Sequence, residues 1–336
     1  MKVLVLMGGV SLERDVSLAT GREVADALKS VGHEVKAVDT AAGIELPDDL
    51  KPQRENLIGR RPPDTKLIAQ LDKKQMLTIL DLPELNWADV VFLAFHGGSG
   101  ENGEVQALLD MAGVKYTGSG LLSSALSMNK ALSKRLFSVS GIKTPGYLLI
   151  RKGDFSENIS LQILERFSPP VIVKPNDQGS TVGLTLVEDE ALYDQAIEAV
   201  YAVSEEMLVE EYIPGRELTV AVLDDSPLPV VEILPKGKLY DYECKYTSGM
   251  CEYACPADLP ESLAQTLQGL GKQAFDLCQC RGYARVDFRL DLKGRPFCLE
   301  VNTLPGMTTT SLVPKAAKAS GLSFAELLDK IVKLAL

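Results

Sequence analysis

Positive charge is scarce in this sequence. Its 35 Lys and Arg residues stand against 46 Asp and Glu, a net charge of −11. That balance argues against nonspecific binding to nucleic acid or to an anionic membrane, both of which need a basic face. A small anionic ligand held by a few local Lys and Arg residues stays open. No window approaches the roughly 18 apolar residues of a membrane span. The amino terminus, MKVLVLMGG, is too short in its apolar run for a secretory signal and lacks a small-residue cleavage site. The expectation is a cytoplasmic protein. Histidine is nearly absent, with His33 and His96 far from the six cysteines at 244, 251, 255, 278, 280 and 298. Those spacings match no familiar zinc ribbon, so the cysteines read as reduced, small buried hydrophobes. The glycines that follow the first strand, Gly8-Gly9, do not form G-x-G-x-x-G, and G-x-x-x-x-G-K-[ST] is absent from the sequence.

What is present suits two or three domains, since 336 residues exceed one compact core. A buried strand at 2–7, a turn at Gly8-Gly9, a helix from about Ser17 to Val31 and a strand at 35–39 make a β-α-β opening of the doubly wound kind. Ligands collect beyond the carboxyl ends of such strands, where Glu13 and Ser17 can face one. Residues 41–84 read as an irregular connection with short helices. A strand at 90–95 runs into the glycine-rich HGGSGENG at 96–103, where backbone can approach a ligand or another loop closely. A helix at 104–112 follows, and the first domain closes near residue 120.

One helix is expected over 123–140, carrying Lys130 and Lys134, which on spacing alone suit a solvated face. Strands follow at 146–150, 170–175 and 182–187, with Asn176 to Thr181 looping between the last two. Lys174 lies inside a buried strand, and burying an ammonium is costly without a partner, so it should meet an anion. The adjoining Gly/Ser loop can fold over phosphates through its backbone N–H groups. After a helix at 190–202 comes a strand into a short linker, Glu206 to Ile213. Were an adenine to lie there, linker backbone could read the base and a carboxylate among Glu210, Glu211 and Glu217 could accept ribose hydroxyls. Strands at 217–223 and 228–234 are expected to complete a mostly antiparallel sheet. Residues 236–258 form a long polar, aromatic loop, more often functional than idle, with Lys245 and Tyr246 as its natural candidates.

A helix at 260–279 leads to the most informative stretch, ARVDFRLD at 284–291 followed by PFCLEVN at 296–302. Alternating apolar residues on both sides of Lys293-Gly294 predict a β-hairpin. Glu300 and Asn302 are two apart and share a face, to which the hairpin can bring Asp287. Three hard oxygen donors suit Mg²⁺, which takes its remaining ligands from water and phosphate. The ordinary alternative is a solvent-facing polar side of the hairpin. Pro314 to Leu336 reads as one or two amphipathic helices.

Seven runs in collinear order resemble the D-alanine–D-alanine ligases of the ATP-grasp superfamily. They are GGVSLERDVSL at 8–18, HGGSGENGEVQALLDMAGVKYTGSG at 96–120, SMNKALSK at 127–134, VIVKPNDQGSTVG at 171–183, VEEYIPGRELTV at 209–220, YDYECKYTSGMCEYACPADLP at 240–260, and RVDF with LEVNTLPGMTTTSLVP at 285–314. The resemblance implies an α/β (α+β) ATP-grasp fold: a doubly wound amino-terminal domain, 1–120, and two further domains, 121–213 and 214–336, clamping ATP. It implies that ATP phosphorylates one D-alanine carboxylate and that the amine of a second D-alanine attacks the acyl phosphate, giving the dipeptide used in peptidoglycan.

By the same resemblance, Asp287, Glu300 and Asn302 would bind two Mg²⁺ ions, with Mn²⁺ able to substitute. Lys130, Lys174 and Lys245 would contact phosphates, Ser180 would serve in the covering loop, Glu217 would hold the ribose, and Glu210, Glu211 and Ile213 would face the adenine. Glu13 would receive the first substrate's ammonium, Arg285 and the Gly306 N–H would stabilise the oxyanion, and His96, Ser311 and Leu312 would meet substrate, the last two at the second carboxylate. Tyr246, Ser180 and Glu13 would hydrogen-bond together. A homodimer is also implied. Gln178, Thr181 and Asn102 depart from the residues common in the family and bear on the loop contacts. The lactate-type members lack the loop tyrosine, so Tyr246 favours an amine acceptor over D-lactate. An ATP-grasp ligase with a different acceptor, or a catalytically silent nucleotide-binding module on the same fold, would share most of these motifs.

Overall fold

The computed structural model describes residues 1–11, 13–41, 77–154, 159–237 and 250–336. Lys245 and Tyr246 therefore lie outside the described residues, as does most of the stretch read as an irregular connection over 41–84. Three sheets carry the architecture. The first holds β1 (Lys2–Met7), β2 (Glu34–Asp39) and β3 (Val90–Leu93) in the order β2-β1-β3, all parallel. Val3 to Leu6 are completely buried, as expected of a parallel strand covered on both faces. The helix Arg14–Ser30 makes the crossover.

The second sheet holds β4 (Tyr147–Arg151), β5 (Val171–Pro175), β6 (Thr185–Val187) and β7 (Glu206–Glu211) in the antiparallel order β4-β7-β5-β6. The third holds β8 (Gly215–Leu223), β9 (Ser226–Pro227), β10 (Val231–Pro235), β11 (Cys251–Ala254), β12 (Tyr283–Asp291) and β13 (Pro296–Asn302). Its path is β11-β10-β8-β12-β13, with β9 on β8. The two strands expected to finish the second sheet thus leave it: β8 pairs with β12 over nine residues instead. Gly215 makes the switch possible. It has φ +139°, and a Cβ there would lie 2.0 Å from the Leu290 carbonyl oxygen. The end of the long loop also carries regular structure, since β11 pairs with β10.

The alternation of β12 decides what the site contains. Val286, Phe288 and Leu290 point to the core formed with Leu267, Ala274 and Phe275 of the helix Glu261–Leu277. Arg285, Asp287 and Arg289 consequently point the other way, into a cleft against the second sheet. The helices Leu312–Ala319 and Phe324–Lys333 return to the beginning of the chain. The second is closed by a Ser323–Glu326 capping box, and its Leu328 and Ile331 share a core with Val24 and Leu28.

The helix expected over 123–140 is broken. Asn129, at φ −82° and ψ 94°, ends Leu121–Met128 and caps Lys130–Val139, its side chain accepting from the Leu132 N–H at 3.1 Å. The second helix starts against β5: Lys130 N donates to Asn176 O (3.1 Å) and Ala131 N to Asn176 Oδ1 (2.8 Å). Lys134 is then fully buried rather than solvated. No helix among the described residues is long and apolar enough to cross a membrane.

Candidate functional site

Two cavities meet between the sheets. One, about 130 Å³, is lined by Lys174, Gln178, Gly179, Thr181 and Val182 on one side and by Asp287, Arg289 and Leu299 on the other. Its far end is the linker Glu210, Glu211, Tyr212 and Ile213, with Glu217. The other, about 200 Å³, is lined by Glu13, His96, Glu101, Asn302, Gly306, Ser311 and Leu312. Lys130, Gly179, Ser180, Arg285 and Glu300 line both. Every described residue to which the family resemblance gives a role is therefore brought to one connected space.

In the first cavity the lysines arrive from two elements. Lys174 on β5 lies 2.9 Å from Glu210 on β7. Lys130 opens the helix Lys130–Val139, donates to Gln178 O at 2.7 Å and lies 3.7 Å from Glu300. The Gly/Ser loop is held in a tight shape, with Ser180 at φ 46° and Thr181 at φ 59°. Non-glycine residues in that region cost free energy and cluster at ligand clamps. Glu210 differs from the expectation that its side chain faces a base: strand alternation turns it inward between Lys134 (3.0 Å) and Lys174, and leaves Glu211 outside. Burial alone would raise its carboxyl; the two ammonium groups outweigh that and hold it below the usual range.

On the hairpin, Asp287 and Glu300 are direct cross-strand partners and Asn302 sits opposite Arg285, so all four side chains share a face. A bulge after Asp287 leaves Leu299 unmatched. Asp287 accepts from Arg285 Nη2 (2.8 Å) and from Thr219 Oγ1 (2.6 Å). Asn302 Oδ1 accepts from Leu304 N at 3.0 Å, which orients its oxygen. Among the described residues no three His, Cys, Asp or Glu side chains cluster to hold a metal. Two carboxylates and an amide oxygen on an open cleft fit an ion such as Mg²⁺ that shares its shell with phosphate and water. The described cysteines are all free, so the set at 251, 255, 278 and 280 forms no disulfide.

The second cavity is organised around Glu13, which receives the Ser180 hydroxyl from across the cleft. Gly97 backs Glu13 at φ +66°, and a Cβ there would lie 2.7 Å from Glu13 Oε2. Ser11 ties the two loops, donating to His96 O (2.8 Å) and accepting from Glu13 N (3.2 Å). The His96 ring nitrogens lie 2.9 Å from Thr20 Oγ1 and 3.1 Å from Leu304 O. Burial pulls its pKa down to about 4, against the Leu304 carbonyl, so the ring is neutral. Ser311 Oγ accepts from Thr308 N at 3.0 Å, at the head of the helix Leu312–Ala319, beside Gly306. Ser17 departs from expectation. It is fully buried, accepting from Gly8 N (2.8 Å) and donating to Ala94 O (2.7 Å), so it joins β1 to the end of β3 and faces no ligand.

Three residues enter the site without having been singled out for it. Arg289 donates to Glu217 (3.1 Å) and to Ile213 O (3.0 Å), and its i, i+2, i+4 spacing with Arg285 and Asp287 was the available signal. Glu101 lines the second cavity and accepts from Gly97 N (2.9 Å); burial, with the nearby Glu13, pushes its carboxyl up to about 7. Lys134 stands behind Glu210, and only its i, i+4 relation to Lys130 hinted at a shared face.

Comparison with known proteins agrees over nearly the whole chain. The family model described as D-ala D-ala ligase N-terminus matches residues 2–119, and that described as D-ala D-ala ligase C-terminus matches 136–333. A D-alanine–D-alanine ligase of Syntrophotalea carbinolica is 41% identical over 331 residues, 98% of this chain and 95% of the relative. One of Gloeobacter violaceus is 41% identical over 338 residues, 99% and 98%. The crystal structure of a D-alanine–D-alanine ligase from Bacillus anthracis complexed with ATP matches with a TM-score of 0.78 at 29% identity, over 100% of this chain and 97% of that one.

Proposed function

The chain belongs to the D-alanine–D-alanine ligase family, and from that premise we propose that it joins two D-alanine molecules, using ATP, in the double cavity between its third sheet and the two other parts of the chain. The observation that carries this assignment is the common wall. Lys130, Ser180, Arg285 and Glu300 line both the lysine-rich cavity and the Glu13 cavity, so a phosphoryl group in one would lie against a carboxylate in the other.

Nucleotide would occupy the first cavity, with the Glu211–Ile213 linker at the base, Glu217 at the ribose and Lys174 and Lys130 at the phosphates. Asp287, Glu300 and Asn302 would hold Mg²⁺, two ions by family resemblance, which supplies charge neutralisation to the phosphates. The first D-alanine would set its ammonium against Glu13 and turn its carboxylate to the common wall. Transfer of the terminal phosphoryl group to that carboxylate leaves ADP and an acyl phosphate. The second D-alanine, its carboxylate at Ser311 and the Leu312 helix end, would present its amine to the acyl carbon. Arg285 and the Gly306 N–H would meet the negative charge that develops on the carbonyl oxygen, and phosphate leaves. The Ser180–Glu13 hydrogen bond supports a closed covering loop, which keeps water from the acyl phosphate. Lys245 and Tyr246 complete the proposal, at the transferred group and on the same hydrogen-bond chain.

We assign the three parts as 1–120, 121–213 and 214–336, with the last two helices folded back onto the first part. A cytoplasmic homodimer using ATP and D-alanine fits the family. The test is release of phosphate from MgATP with and without D-alanine, followed by product identification with D-alanine, D-lactate and D-serine in competition. Release that ignores D-alanine would leave a nucleotide-binding module. A depsipeptide as main product at neutral pH would make the acceptor D-lactate.

A further inference from the structure

A fully buried lysine that lines neither of the joined cavities needs a reason. Lys134 is 0% exposed, and it lines neither of the two joined cavities. Its ammonium lies 3.0 Å from Glu210 Oε1, donates to Thr144 Oγ1 at 2.7 Å and stands 5.7 Å from the centre of the Tyr147 ring. The other oxygen of Glu210 lies 2.9 Å from Lys174, which does line the nucleotide cavity. Three elements thus bring two positive charges and one negative charge together: the helix Lys130–Val139, β5 and β7. Without Lys134 the remaining pair would be neutral, with Glu210 absorbing the charge of Lys174. With it, the cluster carries one net positive charge, and the cavity side of the cluster is Lys174. Desolvation of a charge is expensive, so a buried ammonium that never meets ligand has to be offset by what it does for its neighbours.

We propose that Lys134 is a positioning residue for nucleotide phosphates: it holds the Glu210 carboxylate so that the Lys174 ammonium presents its charge to the cavity. The inference rests on the proposed nucleotide site. Thr144 and Tyr147 hold the Lys134 end, so the carboxylate has a second ammonium at ion-pair distance behind it, opposite Lys174. The four-residue spacing from Lys130 lets one helix supply both a direct contact and this indirect one.

The test uses the full-length protein, with MgADP and adenosine as probes and their dissociation constants measured by calorimetry or competition. The readout is the ratio of the two affinities, which isolates the phosphate contribution from contacts to the base. Lys134→Met should lower that ratio about ten-fold or more. The double variant Lys134→Met/Glu210→Gln removes the carboxylate as well, and should return the ratio to within about three-fold of the wild type. A merely structural lysine would weaken both probes alike and leave the ratio unchanged, which would overturn the inference. So would a double variant whose ratio stays low. If Lys134→Met does not fold, Lys134→Gln, which also removes the charge, is measured in its place against the same lowered ratio. A wild-type protein that binds neither probe removes the nucleotide site itself and the inference with it; a wild type that binds ADP, with an unchanged ratio in the variant, removes the inference alone.

Discussion

Acid should destabilise this protein through His96, by an amount its surroundings set. The imidazole is buried, with its nitrogens 2.9 Å from Thr20 Oγ1 and 3.1 Å from Leu304 O. Burial lowers its pKa from 6.5 to about 4, with Arg285 adding to the effect and the Leu304 carbonyl opposing it. Between those two values the unfolded chain binds a proton that the folded chain refuses. The stability contributed by the neutral ring is therefore complete above 6.5 and is lost as pH falls towards 4. A gap of about 2.5 pH units amounts to about 3 kcal/mol, and about 2 kcal/mol of it is gone by about pH 5. Glu101 works in the opposite direction. Its carboxyl is raised from 4.5 to about 7, chiefly by burial, so its contribution is present below 4.5 and lost as pH rises through 7. The wild-type profile sums the two, and the informative quantity is the difference between wild type and His96→Gln. Denaturant unfolding of both, free of ligands, should show that difference shift by about 2 kcal/mol against the wild type between about pH 8 and about pH 5. A difference that stays constant across this range would refute a neutral, desolvated imidazole at this position.

Glu300→Ala should abolish turnover, by about 10³-fold or more, while the circular dichroism spectrum and melting temperature stay near wild type; near-normal turnover would remove Glu300 from the site. Gly215→Ala should cost about 3 kcal/mol or more in chemical unfolding, because its Cβ would meet the Leu290 carbonyl oxygen at 2.0 Å in a backbone conformation that side chains avoid. An unchanged midpoint would mean that β8 and β12 can slide apart at that end. Tyr246→Phe should raise the share of D-lactate product in competition with D-alanine, measured by mass spectrometry, and an unchanged ratio would take acceptor choice away from Tyr246.

Much of the fold could be read from periodicity because burial imposes it. The continuous apolar runs of β1 and β3 and the strict alternation of β12 each have one physical solution, and β12 alone put Asp287 and Arg285 on the cleft side. What could not be read was set by long-range partners. Nothing local in 217–223 says that β8 pairs with β12, since both neighbouring sheets could accept an apolar strand; the close approach of Gly215 to Leu290 becomes visible only in three dimensions. The break at Asn129 was legible in principle, as a capping residue ahead of a helix, but Ser127, Met128 and Asn129 do not interrupt the apolar spacing enough to announce it. Ser17 and Lys134 escape a sequence reading for the same reason. A polar residue on a helix looks free to meet ligand or solvent until the carbonyl of Ala94 or the carboxylate of Glu210 is known to lie beside it. The family motifs supplied roles for residues such as Gly306 and Ser311 that no spacing argument could have distinguished from ordinary loop positions.

Charge marks out the proposed site. Glu217 is met by Arg289, Glu300 by Lys130, Asp287 by Arg285, and Glu210 by two lysines. A chain with a net charge of −11 has thereby set five cations, Lys130, Lys134, Lys174, Arg285 and Arg289, in or directly behind one cleft, each beside a carboxylate. Such pairs contribute little net stability, because desolvation offsets much of the attraction. Their value is geometric: each guanidinium or ammonium is held in position by its carboxylate and can be shared with an incoming phosphate or carboxylate without first being ordered. The β12–β13 hairpin does this most economically. Its cross-strand pairing sets Asp287 against Glu300 and Arg285 against Asn302, so that groups suited to a metal and a group suited to an oxyanion alternate on one rigid surface. A one-residue slip of that register would send the carboxylates into the Phe275 core and the apolar side chains into the cleft. The same burial that folds the hairpin therefore fixes its chemistry.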